Sequence, residues 1–193
     1  MRVVRVLAML GLLFGLAACV SGGTGGKSAS AQPIKLAAQY DVAEVKIVVP
    51  QTLRVSEANS YRPNADIVWR GDPPGDRYAQ VQAIMAEGFA QGTAGMTAGR
   101  RVIVEAEVVR FHCLTEKTRY SIGGVHSIRF NLTVRDAESG QVIDGPRLVK
   151  ADIKASGGEK ALAEDRAGRT QRVVIVEDLM AVSRRELSAR VAP

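Results

Sequence analysis

Ile128-Arg129-Phe130-Asn131-Leu132-Thr133-Val134-Arg135 alternates apolar and polar side chains without a break. Successive side chains of a strand point to opposite faces. Ile128, Phe130, Leu132 and Val134 therefore share one face, and Arg129, Asn131, Thr133 and Arg135 the other. One buried and one wetted face is the pattern of an antiparallel sheet covered on a single side. Asp136-Ala137-Glu138-Ser139-Gly140 follows as a turn. Val142 and Ile143 begin a return strand that runs with interruptions to Ile153, closing an antiparallel hairpin.

Upstream, Val102, Val104, Ala106 and Val108 alternate with Glu105 and Glu107. The phase slips at Val108-Val109, after which Val109, Phe111 and Cys113 continue the apolar set; a bulge accounts for the slip. Before this strand, Asp76 is placed to cap a helix whose stripe is Tyr78, Val81, Ile84, Met85 and Phe89, ended by Gly92 and Gly95. Val45–Val49, Leu53–Ser56 and Asp66–Trp69 read as three earlier strands. The segment from about Gly158 to Arg190 reads as helical, interrupted at Gly168, with Val173, Val176, Leu179, Met180 and Leu187 in period. The expected order is β-β-β-α-β-β-β-α. This is a single α+β domain, a mostly antiparallel sheet with two helices on one face.

The chain has 193 residues, 26 Lys and Arg against 20 Asp and Glu, and 46% apolar residues. These values exclude a disordered polymer, a coiled coil and a polytopic membrane protein. Arg2 and Arg5 precede an apolar run from Val6 through Leu16. That run is shorter than the roughly 20 residues of a spanning helix, so residues 1–18 read as a secretory signal. Residues 19–40 are rich in Gly, Ser and Ala and read as a flexible tether with a reach of about 25 Å. Residues 41–193 form the domain. Gly22–Ser28 imitates a phosphate-binding loop, but Ser21 stands where that loop needs its first Gly.

Leu16-Ala17-Ala18-Cys19 resembles the bacterial lipobox, in which the Cys is lipid-modified and becomes the first residue of the mature chain. The resemblance implies a membrane anchor on Cys19. Val20 carries no inner-membrane retention signal by the same resemblance, which points to the periplasmic face of the outer membrane. Cys113 is then alone in an oxidising compartment and reads as a buried small hydrophobe.

Few residues of the chain form a recognisable catalytic or metal-binding pattern. His112 and Cys113 are adjacent, so on a strand they face opposite ways and suit no common metal. His126 shares parity with Ile128 and Phe130 and belongs at the core edge. Glu105 and Glu107 share a face and read as a solvated pair rather than as acid–base groups. No serine-hydrolase elbow is present. No cofactor or metal is implied, and the dispersed basic residues argue against nucleic acid as a partner. The segment Trp69-Arg70-Gly71-Asp72-Pro73-Pro74-Gly75-Asp76-Arg77-Tyr78 invites two readings. Trp69, Arg70, Asp72, Arg77 and Tyr78 form a partner-binding surface, or they form a strand-to-helix turn with Trp69 in the core.

The lipobox, the tether, Asp66–Asp72 and Gly124–Phe130 together resemble a family of uncharacterised bacterial outer-membrane lipoproteins. More loosely, the strand and helix order is similar to that of the auxiliary lipoproteins of envelope ABC transporters that move lipids. The family resemblance supplies no activity. The tether, the compact domain and the lack of a catalytic constellation, with the looser likeness, lead to the expectation of a non-enzymatic, membrane-tethered adaptor for an envelope transport or assembly protein. The alternatives are a periplasmic ligand-binding module for lipid or glycan and, last, an envelope enzyme using His126 or the Glu105/Glu107 pair.

Overall fold

The computed structural model describes residues 35–191. The signal, Leu16, Ala17, Ala18, the lipobox Cys19 and the tether up to residue 34 lie outside the described residues.

The sheet is built around β4 (Arg100–His112) and β5 (Gly124–Asp136). They pair antiparallel, with Ala106 opposite Leu132 and Val104 opposite Val134. β5 pairs antiparallel with β6 (Val142–Ala155) as the second half of the hairpin. On the other side of β4 run β2 (Tyr40–Val48) and, further along, the two-residue β3 (Ile67–Val68), both parallel to β4. The order across the five-stranded sheet is β2-β4-β5-β6, with β3 beside β4. The sheet is thus mixed at one margin and antiparallel through its centre.

α1 (Arg77–Thr93) and α4 (Gln171–Glu186) cover one face. Asp76 caps α1, its carboxylate accepting the Tyr78 and Ala79 N–H groups at 2.9 and 3.1 Å. Val81, Ile84, Met85 and Phe89 of α1 are buried, and Ile175, Val176 and Leu179 of α4 join them. Phe89 stands edge-on to Phe130 at 5.4 Å between centroids, tying α1 to the centre of β5. Gly88 and Gly92 let the two helices meet closely. A Cβ on Gly88 would lie 2.5 Å from the Leu179 Cβ, and one on Gly92 would lie 1.9 Å from the Ser183 Oγ.

The expected alternations at β4 and β5 are present, and so is the bulge: the register slips between Val108 and Arg110. Val109 is the extra residue and is exposed, so it does not continue the apolar set as expected. Four further features differ from the expected order. Leu53–Ser56 is not a strand; its only pairing is an isolated bridge from Val55 to Ile67. A short α2 (Glu116–Arg119) intervenes between β4 and β5. The last segment divides at Gly168, the expected interruption, into α3 (Gly158–Arg166) and α4, which with α2 makes four helices among the described residues rather than two. Ser188–Val191 is a strand, β7, where helix was expected; it pairs antiparallel with β1 (Lys35–Ala38). β1 falls in the stretch whose composition suggested tether.

Candidate functional site

The residues that stand out converge where β5 begins and β6 ends. Thr115 caps α2 through its Oγ1, which accepts the Thr118 N–H at 3.3 Å. That single turn delivers Arg119 inward, where it is 3% exposed. Its guanidinium grips Asp165 of α3 with two bonds, Nη2 to Oδ1 at 2.7 Å and Nε to Oδ2 at 3.2 Å. The Tyr120 hydroxyl donates to the same carboxylate at 3.1 Å. Arg119 holds the Asp165 carboxyl below the usual carboxylate range.

His126, the third residue of β5, lies on the helix-covered face beside Arg119 and is 1% exposed. Its Nδ1 accepts the Leu114 N–H at 3.3 Å. The neutral ring therefore carries its proton on Nε2. Nε2 is buried and has no hydrogen-bond partner among the described residues. Burial, and then the charge of Arg119, lower the His126 pKa to about 4. The ring stays neutral at ordinary pH.

His126 and Arg119 line a cavity of about 520 Å³ together with Lys154, Ser156, Lys160 and Arg169. Gly157, which precedes α3, offers no side chain to cap that helix. Lys154 and Lys160 make no ion pair among the described residues. Arg169 pairs with Glu177 at 2.9 Å.

The opposite face of the sheet carries neither α1 nor α4. At the same end it forms a wider recess of about 750 Å³, whose cations are Arg62, Arg110 and Arg129. Arg110 donates to the Nδ1 of His112, and burial followed by the Arg110 charge lowers the His112 pKa. Burial, then Arg129, lowers that of Arg110 itself. The Arg129 Nε is buried without a partner among the described residues. Asp152 is the recess's acid. Along this face Val109, Val125 and Leu148 are exposed, Leu148 by 51%.

Trp69 is in the core, fully buried and edge-on to Phe111 at 6.0 Å. Its indole N–H donates to Asp72 at 2.8 Å. Asp72 also receives Arg172 at 3.2 Å. Arg77 is buried and holds Glu57 at 2.6 and 2.9 Å. Arg70 bonds Glu116 and the Glu57 carbonyl, and the Tyr78 hydroxyl donates to the Leu53 carbonyl at 2.7 Å. These five residues are tied into one internal network that fastens the 57–78 segment. Trp69 and Arg77 are buried there, while Arg70, Asp72 and Tyr78 stay half-exposed.

Glu105 pairs with Arg135 at 2.7 Å, while Glu107 is exposed opposite Asn131. Cys113 is buried, and burial raises its thiol pKa well above the ordinary value. Among the described residues no group of three or more His, Cys, Asp or Glu is placed to hold a metal. Among them, too, no helix is long and apolar enough to cross a membrane.

Arg119 and Asp165 escaped sequence reasoning. Arg119 sits in a polar run that looks like any surface turn, and its partner is 46 residues away. Parity alone placed His126 at the core edge, but nothing local signalled its unpartnered nitrogen.

Fold and site together define a small mixed α and β domain with a cationic end to its sheet. A family model described as a family of unknown function (DUF6778) matches residues 40–193, and the chain belongs to that family. No curated protein matches it. Among solved structures, the chain is similar to a Xanthomonas campestris protein assigned to DUF330. That likeness has 13% identity and a TM-score of 0.44, and covers 78% of this chain and 81% of that one. A second uncharacterised protein has 13% identity and a TM-score of 0.43, over 80% of this chain and 95% of that one. Both likenesses are loose in shape and remote in sequence.

Proposed function

We propose that this chain is a lipoprotein tethered by Cys19 to the periplasmic face of the outer membrane. There it acts as a non-enzymatic adaptor in envelope assembly or lipid transport. The lipobox at Leu16–Cys19 and the Gly- and Ser-rich tether support the anchoring. The observation that carries the adaptor reading is the sheet face free of α1 and α4. Exposed Val109, Val125 and Leu148 lie on it beside Arg110, Arg129 and Lys150. Apolar groups set among charges that are mostly cationic, with Asp152 and Glu107 as acids on the same face, suit a protein contact. The cations outnumber the acids of this recess, so the partner is an acidic segment of an envelope protein.

The test places a photo-crosslinking residue at Leu148 in the full chain in cells, with Ala86 on the exposed side of α1 as the control position. The reading expects one defined envelope protein captured from position 148 and not from position 86. It further expects that Arg129→Glu, which reverses charge without emptying the core, abolishes the capture. Equal capture from both positions, or none from either, overturns it.

A further inference from the structure

The cavity beneath α3 has a use that the adaptor reading leaves unassigned. The geometry points to a binding site for a phosphate ester group in this cavity, between His126 and the first turn of α3, with Lys154 and Lys160 at its mouth.

Four observations converge. First, the His126 Nε2–H is a buried donor without a partner among the described residues. Such groups are uncommon, because an unmade buried hydrogen bond is costly, and they mark places where an unseen acceptor belongs. A ligand oxygen can take this proton, directly or through one bridging water. Second, the ring cannot satisfy itself by turning. Its Nδ1 is held by the Leu114 N–H, which fixes the tautomer and the side from which Nε2 can be approached. Third, α3 begins at this cavity with no side-chain cap, so its leading N–H groups are free to meet an anion. Glu159, in that first turn, is exposed and is not part of the cavity wall.

Fourth, the charge balance selects the ligand. The wall holds Arg119, Lys154, Lys160 and Arg169 against one carboxylate, Glu164. Asp165 and Glu177 neutralise Arg119 and Arg169. One positive charge is left over, which matches a phosphodiester or a singly ionised phosphate. A volume of about 520 Å³ exceeds a bare phosphate and leaves room for an organic remainder. Ile122, 75% exposed, lines the same cavity and gives that remainder an apolar neighbour. A phosphate of this kind belongs either to a soluble ester or to a lipid headgroup, and the recognising chemistry is shared.

The experiment uses the full-length chain in maltoside micelles and reads the ring nitrogens by proton–nitrogen NMR. The chain has two histidines, His112 and His126, so the spectrum is simple. One arm adds inorganic phosphate to about 10 mM, against chloride at the same ionic strength. The other adds short-chain phosphatidylglycerol. The site predicts a saturable shift of the His126 Nε2 signal while His112 stays in place. A response in the first arm alone indicates a soluble ester, and a stronger one in the second a lipid headgroup; either supports the site. Lys154→Ala with Lys160→Ala, both at exposed positions that leave the core intact, weakens binding about tenfold or more. An unmoved His126 signal in both arms overturns the proposal. So does a shift equalled by chloride or unchanged in the double variant. Failure here leaves the crosslinking result at Leu148 untouched, and the converse also holds.

Discussion

Replacing Gly92 by Ala tests the α1–α4 contact that closes the covered face of the sheet. The new Cβ would stand 1.9 Å from the Ser183 Oγ, 2.7 Å from the Met180 carbonyl oxygen and 3.2 Å from the Ser183 Cβ. Ser183 is fully buried, so its hydroxyl has nowhere to swing, and the carbonyl belongs to the helix backbone. The helices must move apart locally. Overpacking of this kind costs about 1–3 kcal/mol, and two obstructed neighbours place it near the upper end. Ala is the better helix former by about 1 kcal/mol. The net loss is about 2 kcal/mol, or about 6 °C in Tm for a domain of this size. Trp69 is the chain's sole Trp and is buried, so its emission reports unfolding directly in a thermal or urea titration. Ser183→Ala in the Gly92→Ala background removes the nearest obstacle and leaves the carbonyl. It restores about half the loss, a non-additivity expected of groups in contact. A Gly92→Ala variant as stable as the native chain would show that the two helices do not meet as described.

Three further outcomes follow from particular contacts. The His126 pKa of about 4 lies below its ordinary 6.5, so the unfolded chain binds the extra proton. The contribution is full above pH 6.5 and falls by about 3 kcal/mol as pH drops from 6.5 to 4. Urea midpoints across that range check it, and His126→Gln should flatten the slope that remains after the carboxylates are accounted for. Asp165→Asn leaves the buried Arg119 without its counter-charge and should destabilise by about 2–4 kcal/mol in the same titration. The Cys113 thiol is buried and its pKa raised, so a thiol reagent should label it only at the rate of unfolding. Rapid labelling of the native fold would contradict its position.

What was legible in the sequence was whatever a local period encodes. β5 alternates because one face meets α1 and α4, and that alternation survives in its burial from His126 to Leu132, after which Thr133 on the other face is buried as well. The slip at Val108-Val109 correctly announced a bulge, and Gly168 announced the division of the last helix, where its φ of +77° suits the left-handed turn. Leu53–Ser56 carries the right alternation but lacks a neighbour with which to pair beyond the Val55 bridge. β1 and β7 are short and join the two ends of the described chain, so neither has a local signature. Trp69 could be read either as a contact or as core. The Asp72 carboxylate at its N–H and Phe111 at its ring edge decide for core, and both depend on tertiary packing. The candidate site was the least visible. Arg119, Asp165 and His126 come from three separate elements, and only the fold brings them together.

The most direct measurement compares the native chain with Cys19→Ala by crosslinking in living cells, followed by mass spectrometry of the captured proteins. A tethered adaptor predicts a defined envelope transport or assembly protein with the native chain, lost or much reduced when Cys19 cannot carry lipid. Capture of the same protein in equal yield by the Cys19→Ala variant would contradict the role of the tether. Capture of nothing specific by either form would contradict the adaptor itself.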